Sequence, residues 1–134
     1  MYFPDLTPYT YGKRLAGPDL LNVGWLDEHH PFPTGKVPEP LLARILHLRA
    51  TIDLRTVTLG IHSSPFIQPR QRGGYPVTYR GNTLHLGSAE IRVPGAGGIV
   101  YAAPDLIYHY IKDCRYLPPK EFLKALAALP EPDR

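Results

Sequence analysis

Apolar residues recur at helical spacing in three stretches of the chain. Leu41, Leu42, Ile45, Leu46 and Arg49 share one face, which predicts a helix opening near Pro38 with Pro40 tolerated in its first turn and Arg44 and His47 facing outward. Leu106, Ile107, Tyr110, Ile111 and Cys114 form a second stripe, opened by Pro104-Asp105 and placing Cys114 in the core. A third helix starts around Pro119, buries Phe122, Ala125, Leu126 and Leu129, and ends before Pro130 and Pro132.

Alternation marks the strands. Thr51 to Leu59 mixes β-branched and apolar residues and predicts one strand, and Gly60 to Pro76 reads as a long loop. Val77–Arg80 and Thr83–Leu86 flank Gly81-Asn82, a pair tolerant of positive φ, and predict a hairpin. The apolar alternation restarts out of phase at Ala89, Ile91 and Val93, so Gly87-Ser88 is expected to hold a bulge or bend. After the turn at Pro94–Gly98, Ile99 to Ala102 returns as a further strand and completes a small antiparallel meander.

Residues 1 to 37 show neither period, yet carry Tyr2, Phe3, Tyr9, Tyr11, Trp25 and Phe32. Each aromatic can bury a large area, which predicts ordered coil wrapped on a core, with Trp25 as its anchor and a short strand within Leu20 to Leu26. Asp27 to Gly35 reads as a turn-rich loop holding His29 and His30. The expected fold is therefore α+β: a small antiparallel sheet with two or three helices on one face and an aromatic N-terminal wrap, forming one domain over residues 1–134.

Composition narrows the class. With 43% hydrophobic and 20% charged residues the chain can build a core, while 16 Pro and 12 Gly keep its elements short. One Cys excludes an internal disulfide or a Cys-rich zinc site. The net charge of +3 is scattered, with only Arg70-Gln71-Arg72 resembling a cluster, so nucleic acid is not an expected partner. No apolar run suits a membrane span, and Met1–Asp5 lacks the regions of a signal peptide. A soluble, cytoplasmic protein is expected.

Four blocks of the sequence resemble a family of small, uncharacterised bacterial proteins, a domain of unknown function. They are Tyr2 to Tyr9, Asn22–Leu26 with His30–Gly35, Gly87–Val93, and Tyr101–Ile111. The resemblance implies a single-domain fold and a bacterial source, and brings no activity. It also implies a central His-x-Cys-x-x-Cys segment in many members, suited to zinc. Here His62 stands, but Ser64 and Ile67 occupy the cysteine positions, so no metal or other cofactor is expected.

The remaining chemistry is sparse. Asp105 and His109, four apart on a helix, fall on one face, where the carboxylate could fix the imidazole tautomer of a general base. The alternative is a helix-surface pair with Asp105 at the positive N-terminal end. Glu90 and Arg92 read as a solvated pair, and His47 and His85 as exposed or packed. No Ser or Cys sits in a nucleophile turn, and no glycine-rich loop follows a strand to cradle phosphate. The leading expectation is a non-catalytic module that binds another protein, in its most concrete form a neutralising or immunity-type partner, with His30, His62 and Tyr108 as binding candidates. The alternative is a small metal-dependent or acid/base hydrolase using His62, Asp105 and His109.

Overall fold

The computed structural model describes residues 3–8, 20–27, 29–51, 75–87 and 89–129. The strands are β1 (Leu20–Asn22), β2 (Tyr75–Tyr79), β3 (Asn82–Leu86), β4 (Glu90–Pro94) and β5 (Val100–Pro104), and the helices α1 (Glu39–Ala50), α2 (Ile107–Cys114) and α3 (Lys120–Ala127). The α+β class read from the sequence is what forms. The strand expected over Thr51 to Leu59 and most of the following loop lie outside the described residues.

The meander divides into two sheets. β2 and β3 make a two-stranded hairpin, while β1, β5 and β4 form a three-stranded sheet in that order. β4 and β5 are antiparallel, but β1 runs parallel to β5, pairing Leu20 with Val100 and Asn22 with Ala102. The phase break at Gly87-Ser88 is where the chain leaves one sheet for the other. A single meander would have required Leu84, Leu86, Ala89 and Ile91 to keep one phase across that junction.

The hairpin turn also shifts by one residue. Tyr79 pairs with Asn82, so the two loop residues are Arg80 and Gly81, with φ of 50° and 83°. This pairing places Gly second in a turn that needs positive φ at both positions, the order that favours a type I′ hairpin. Gly81-Asn82 would have placed it first.

The core is one cluster built around Val23, Ile45, Ile91, Val93, Tyr110, Tyr116, Phe122 and Leu126. α1 buries Leu42, Ile45, Leu46 and Arg49 as its period requires, and packs against α2, α3 and β4. Arg44 does not simply face outward: its Nη1 donates to the carbonyls of Leu126 and Ala127 at the end of α3 and of Leu129 just beyond it. That satisfies carbonyls a helix end leaves without partners, with a cation at the negative end of the dipole.

The segment Asn22–Leu26 is buried throughout. Trp25 is 2% exposed, donates from Nε1 to the Ala102 carbonyl at 3.0 Å, and meets Phe3 edge-on at 5.7 Å. Gly24 has φ of 81°, and a Cβ there would stand 2.8 Å from Ile107 Cδ1. Both constraints require glycine at the β1–α2 contact. Asp5 ties the start of the chain to this centre, accepting from the Gly24 amide and the Tyr116 hydroxyl. The aromatic wrap rests largely on Tyr2, Tyr9 and Tyr11, which lie outside the described residues.

Candidate functional site

Chemistry concentrates on α2 and its two ends. Ile107 to Ile111 are all buried, an unusual run for a short helix, because sheet, hairpin and α1 enclose it. Asp105, just before the helix, accepts from Arg49 Nε at 2.8 Å and from the Gly87 amide at 2.8 Å, using both carboxylate oxygens. Arg49 Nη2 also donates to the His85 carbonyl at 3.1 Å. This buried pair joins the end of α1, the β3–β4 junction and the start of α2. Burial raises the Asp105 pKa above its ordinary value, although the Gly87 amide and the Arg49 guanidinium oppose it.

The pairing of Asp105 with His109 expected from their spacing is not the one the fold makes. His109 Nδ1 instead bonds Asp113 Oδ2 at 2.9 Å, one turn later on α2. The Tyr75 hydroxyl donates to the same oxygen at 2.5 Å, and its ring lies 4.6 Å from the imidazole. Asp113 is pushed up by burial but held below its ordinary pKa overall, because the hydrogen bonds from Tyr75 and His109 and the charges of His109 and Lys112 outweigh that burial. Burial and the Asp113 carboxylate push the Tyr75 phenol well above its usual range. An ionised Asp113 makes Nδ1 the protonated nitrogen of His109, as an orienting carboxylate does for a general base. The His109 side chain is nevertheless only 4% exposed.

The other candidates are scattered. His30 is exposed and bonds Asp27 at 2.7 Å. Tyr108 is buried on α2, with Lys112 Nζ 5.9 Å above its ring. His62 lies outside the described residues. His47 is half-buried and bonds the Tyr79 hydroxyl, and His85 is exposed. Glu90 is not solvated: its side chain is 2% exposed and accepts from Arg92 Nε, which lies on the same face of β4. Among the described residues no group of three or more His, Cys, Asp or Glu side chains could hold a metal ion.

An open recess of about 380 Å³ separates the start of α1 from the end of α2. Val37, Leu42 and Ile111 supply apolar lining, with Lys36, Lys112, Arg115 and Glu39 carrying the charge around it. Arg115 ends α2 in the left-handed conformation, φ 62° and ψ 26°, which is uncommon for a residue with a side chain. The N-terminus of α1 has no side-chain cap.

Sequence reasoning missed Arg49 as the Asp105 partner, although an arginine inside an apolar stripe was a legible signal. Asp113 was equally legible, since His109 has a carboxylate four residues away in both directions. Lys36 and Arg115 carried no signal, because only the fold brings them together.

Fold and site together define an α+β arrangement in which α2 is enclosed at the centre, with polar contacts before its start and along its last turn. The chain belongs to the family described as a domain of unknown function (DUF7919), matched over residues 1–127. No curated protein and no solved structure matches the chain. No helix among the described residues is long and apolar enough to cross a membrane.

Proposed function

We propose that the chain is a non-catalytic module that binds another protein, with a neutralising or immunity-type role in a bacterial cytoplasm as its most concrete form. The observation that carries this reading is the division of charge around α2. Asp105 is engaged by Arg49 and the Gly87 amide inside the core, whereas Lys36, Lys112 and Arg115 surround an open recess with apolar lining. Apolar surface edged by charge is the anatomy of a protein-binding patch. The second reading, a small acid/base or metal-dependent hydrolase, draws on the Asp113–His109 bond in place of the Asp105–His109 pair.

The two are separated by running a broad hydrolase screen beside affinity capture from cells that carry the gene, using wild type, His109→Ala and Asp113→Asn. A stoichiometric partner with no turnover is expected. Turnover in wild type that disappears in both variants, with their circular dichroism unchanged, overturns the binding reading.

A further inference from the structure

The recess between α1 and α2 has a charge pattern specific enough to name what it takes. Lys36 lies on the loop before α1, Lys112 in the last turn of α2, and Arg115 at its C-cap. Elsewhere in the fold Arg49 and Arg92 direct their charge to Asp105 and Glu90, and Arg44 to the carbonyls of α3. The Lys36 and Arg115 side chains make no ion pair or hydrogen bond among the described residues, and Lys112, itself exposed, has its ammonium over the Tyr108 ring. Three cations on a concave surface against the single lining carboxylate of Glu39 leave an excess of positive charge, which favours an anionic ligand. The uncapped N-terminus of α1 adds its positive end beside them.

Two features select among anions. Glu39 lines the same recess, so a ligand that is anionic throughout meets repulsion there, whereas a peptide offers N–H donors to that carboxylate. Val37, Leu42 and Ile111 are buried core residues whose edges form a small apolar floor between the charges, enough for one aliphatic side chain set between acidic ones. At about 380 Å³ the recess is near the small end of the range for ligand clefts, suited to a short stretch of chain.

We infer that this recess anchors an acidic segment of the partner protein, in which carboxylates face Lys36, Lys112 and Arg115 and an aliphatic side chain lies over Val37, Leu42 and Ile111. The inference rests on the binding-module reading and gives that partner its chemistry.

The test is fluorescence anisotropy with a labelled, end-blocked peptide alternating glutamate and leucine. Its glutamine counterpart and inorganic phosphate serve as controls. Wild type is expected to bind the glutamate peptide more weakly as salt rises, to bind the glutamine peptide at least about tenfold more weakly, and to resist displacement by phosphate. Lys36→Ala/Lys112→Ala/Arg115→Ala is expected to lose at least about tenfold, and Arg115→Gly to lose affinity while staying folded, since glycine accepts the left-handed backbone there. Equal affinity in the triple variant, no binding at ~1 mM peptide, or displacement by equimolar phosphate overturns the inference. Capture of one partner from lysate by wild type and triple variant alike would sink the recess while sparing the binding module. Turnover lost on His109→Ala would sink the module itself.

Discussion

At the scale of single residues, the Arg49–Asp105 pair is a buried contact on which three elements depend. Asp105 has no side-chain exposure and Arg49 has 7%, so each charge depends on the other for its polar surroundings. Removing one partner leaves the other buried without compensation, and Arg49→Met or Asp105→Leu should each cost about 3–5 kcal/mol in urea denaturation. The double replacement should cost much less than the sum, because two apolar groups need no counter-charge. Trp25 is a packing case: Trp25→Ala should cost ~3–5 kcal/mol and leave the Ala102 carbonyl without its indole donor. Asp113 predicts a pH dependence with a definite sign. Its folded pKa lies below the ordinary 3.8, so its contribution to stability is present above that value and is lost as pH falls through the lowered folded value. Asp113→Asn should therefore flatten the acid limb of a stability-versus-pH curve, whereas an unaltered limb would show that its bonds to Tyr75 and His109 contribute nothing.

Elements in this fold are short, and their ends carry much of the information. The β2–β3 hairpin depends on Arg80 and Gly81 both holding positive φ, and a Cβ at Gly81 would meet nothing within 4 Å. Gly81→Ala should thus destabilise through backbone strain alone, by about 1 kcal/mol, while Arg80→Asn should stabilise by a few tenths, both read from denaturant midpoints. The same logic applies where α2 ends. Arg115→Gly should raise stability by roughly 1 kcal/mol, since a left-handed C-terminal position suits glycine. A stabilising substitution that also weakens acidic-peptide binding would separate the side chain's binding role from its structural one.

For the whole molecule, the arrangement of charge matters more than its total. The net +3 is modest, and several basic side chains act inside the fold: Arg44 closes α3, Arg49 holds α2, and Arg92 meets a buried Glu90. The recess is where basic side chains from separate segments converge on open surface. α2 and the aspartate before it are the hub that connects Arg49 of α1, Gly87 of the β3–β4 junction and Tyr75 of the hairpin.

The local period of the chain determined its elements. Leu42, Ile45 and Leu46, the Ile107–Ile111 stripe, Phe122 with Leu126, and the alternation around Arg80-Gly81 each encode a helix or strand within a few residues, because side-chain spacing and backbone tolerance are local properties. The burial of Trp25 was legible for the same reason, since a large apolar ring has few places to go but inward. Pairing was not legible. Whether His109 bonds the carboxylate before it or the one after it depends on which of them another element claims, and Arg49, arriving 56 residues upstream, claims Asp105. The parallel partnership of β1 with β5, the split of the meander into two sheets, and the meeting of Lys36 with Arg115 are likewise long-range choices. They follow from which buried surfaces and charges can be satisfied together, a condition that only the folded chain meets.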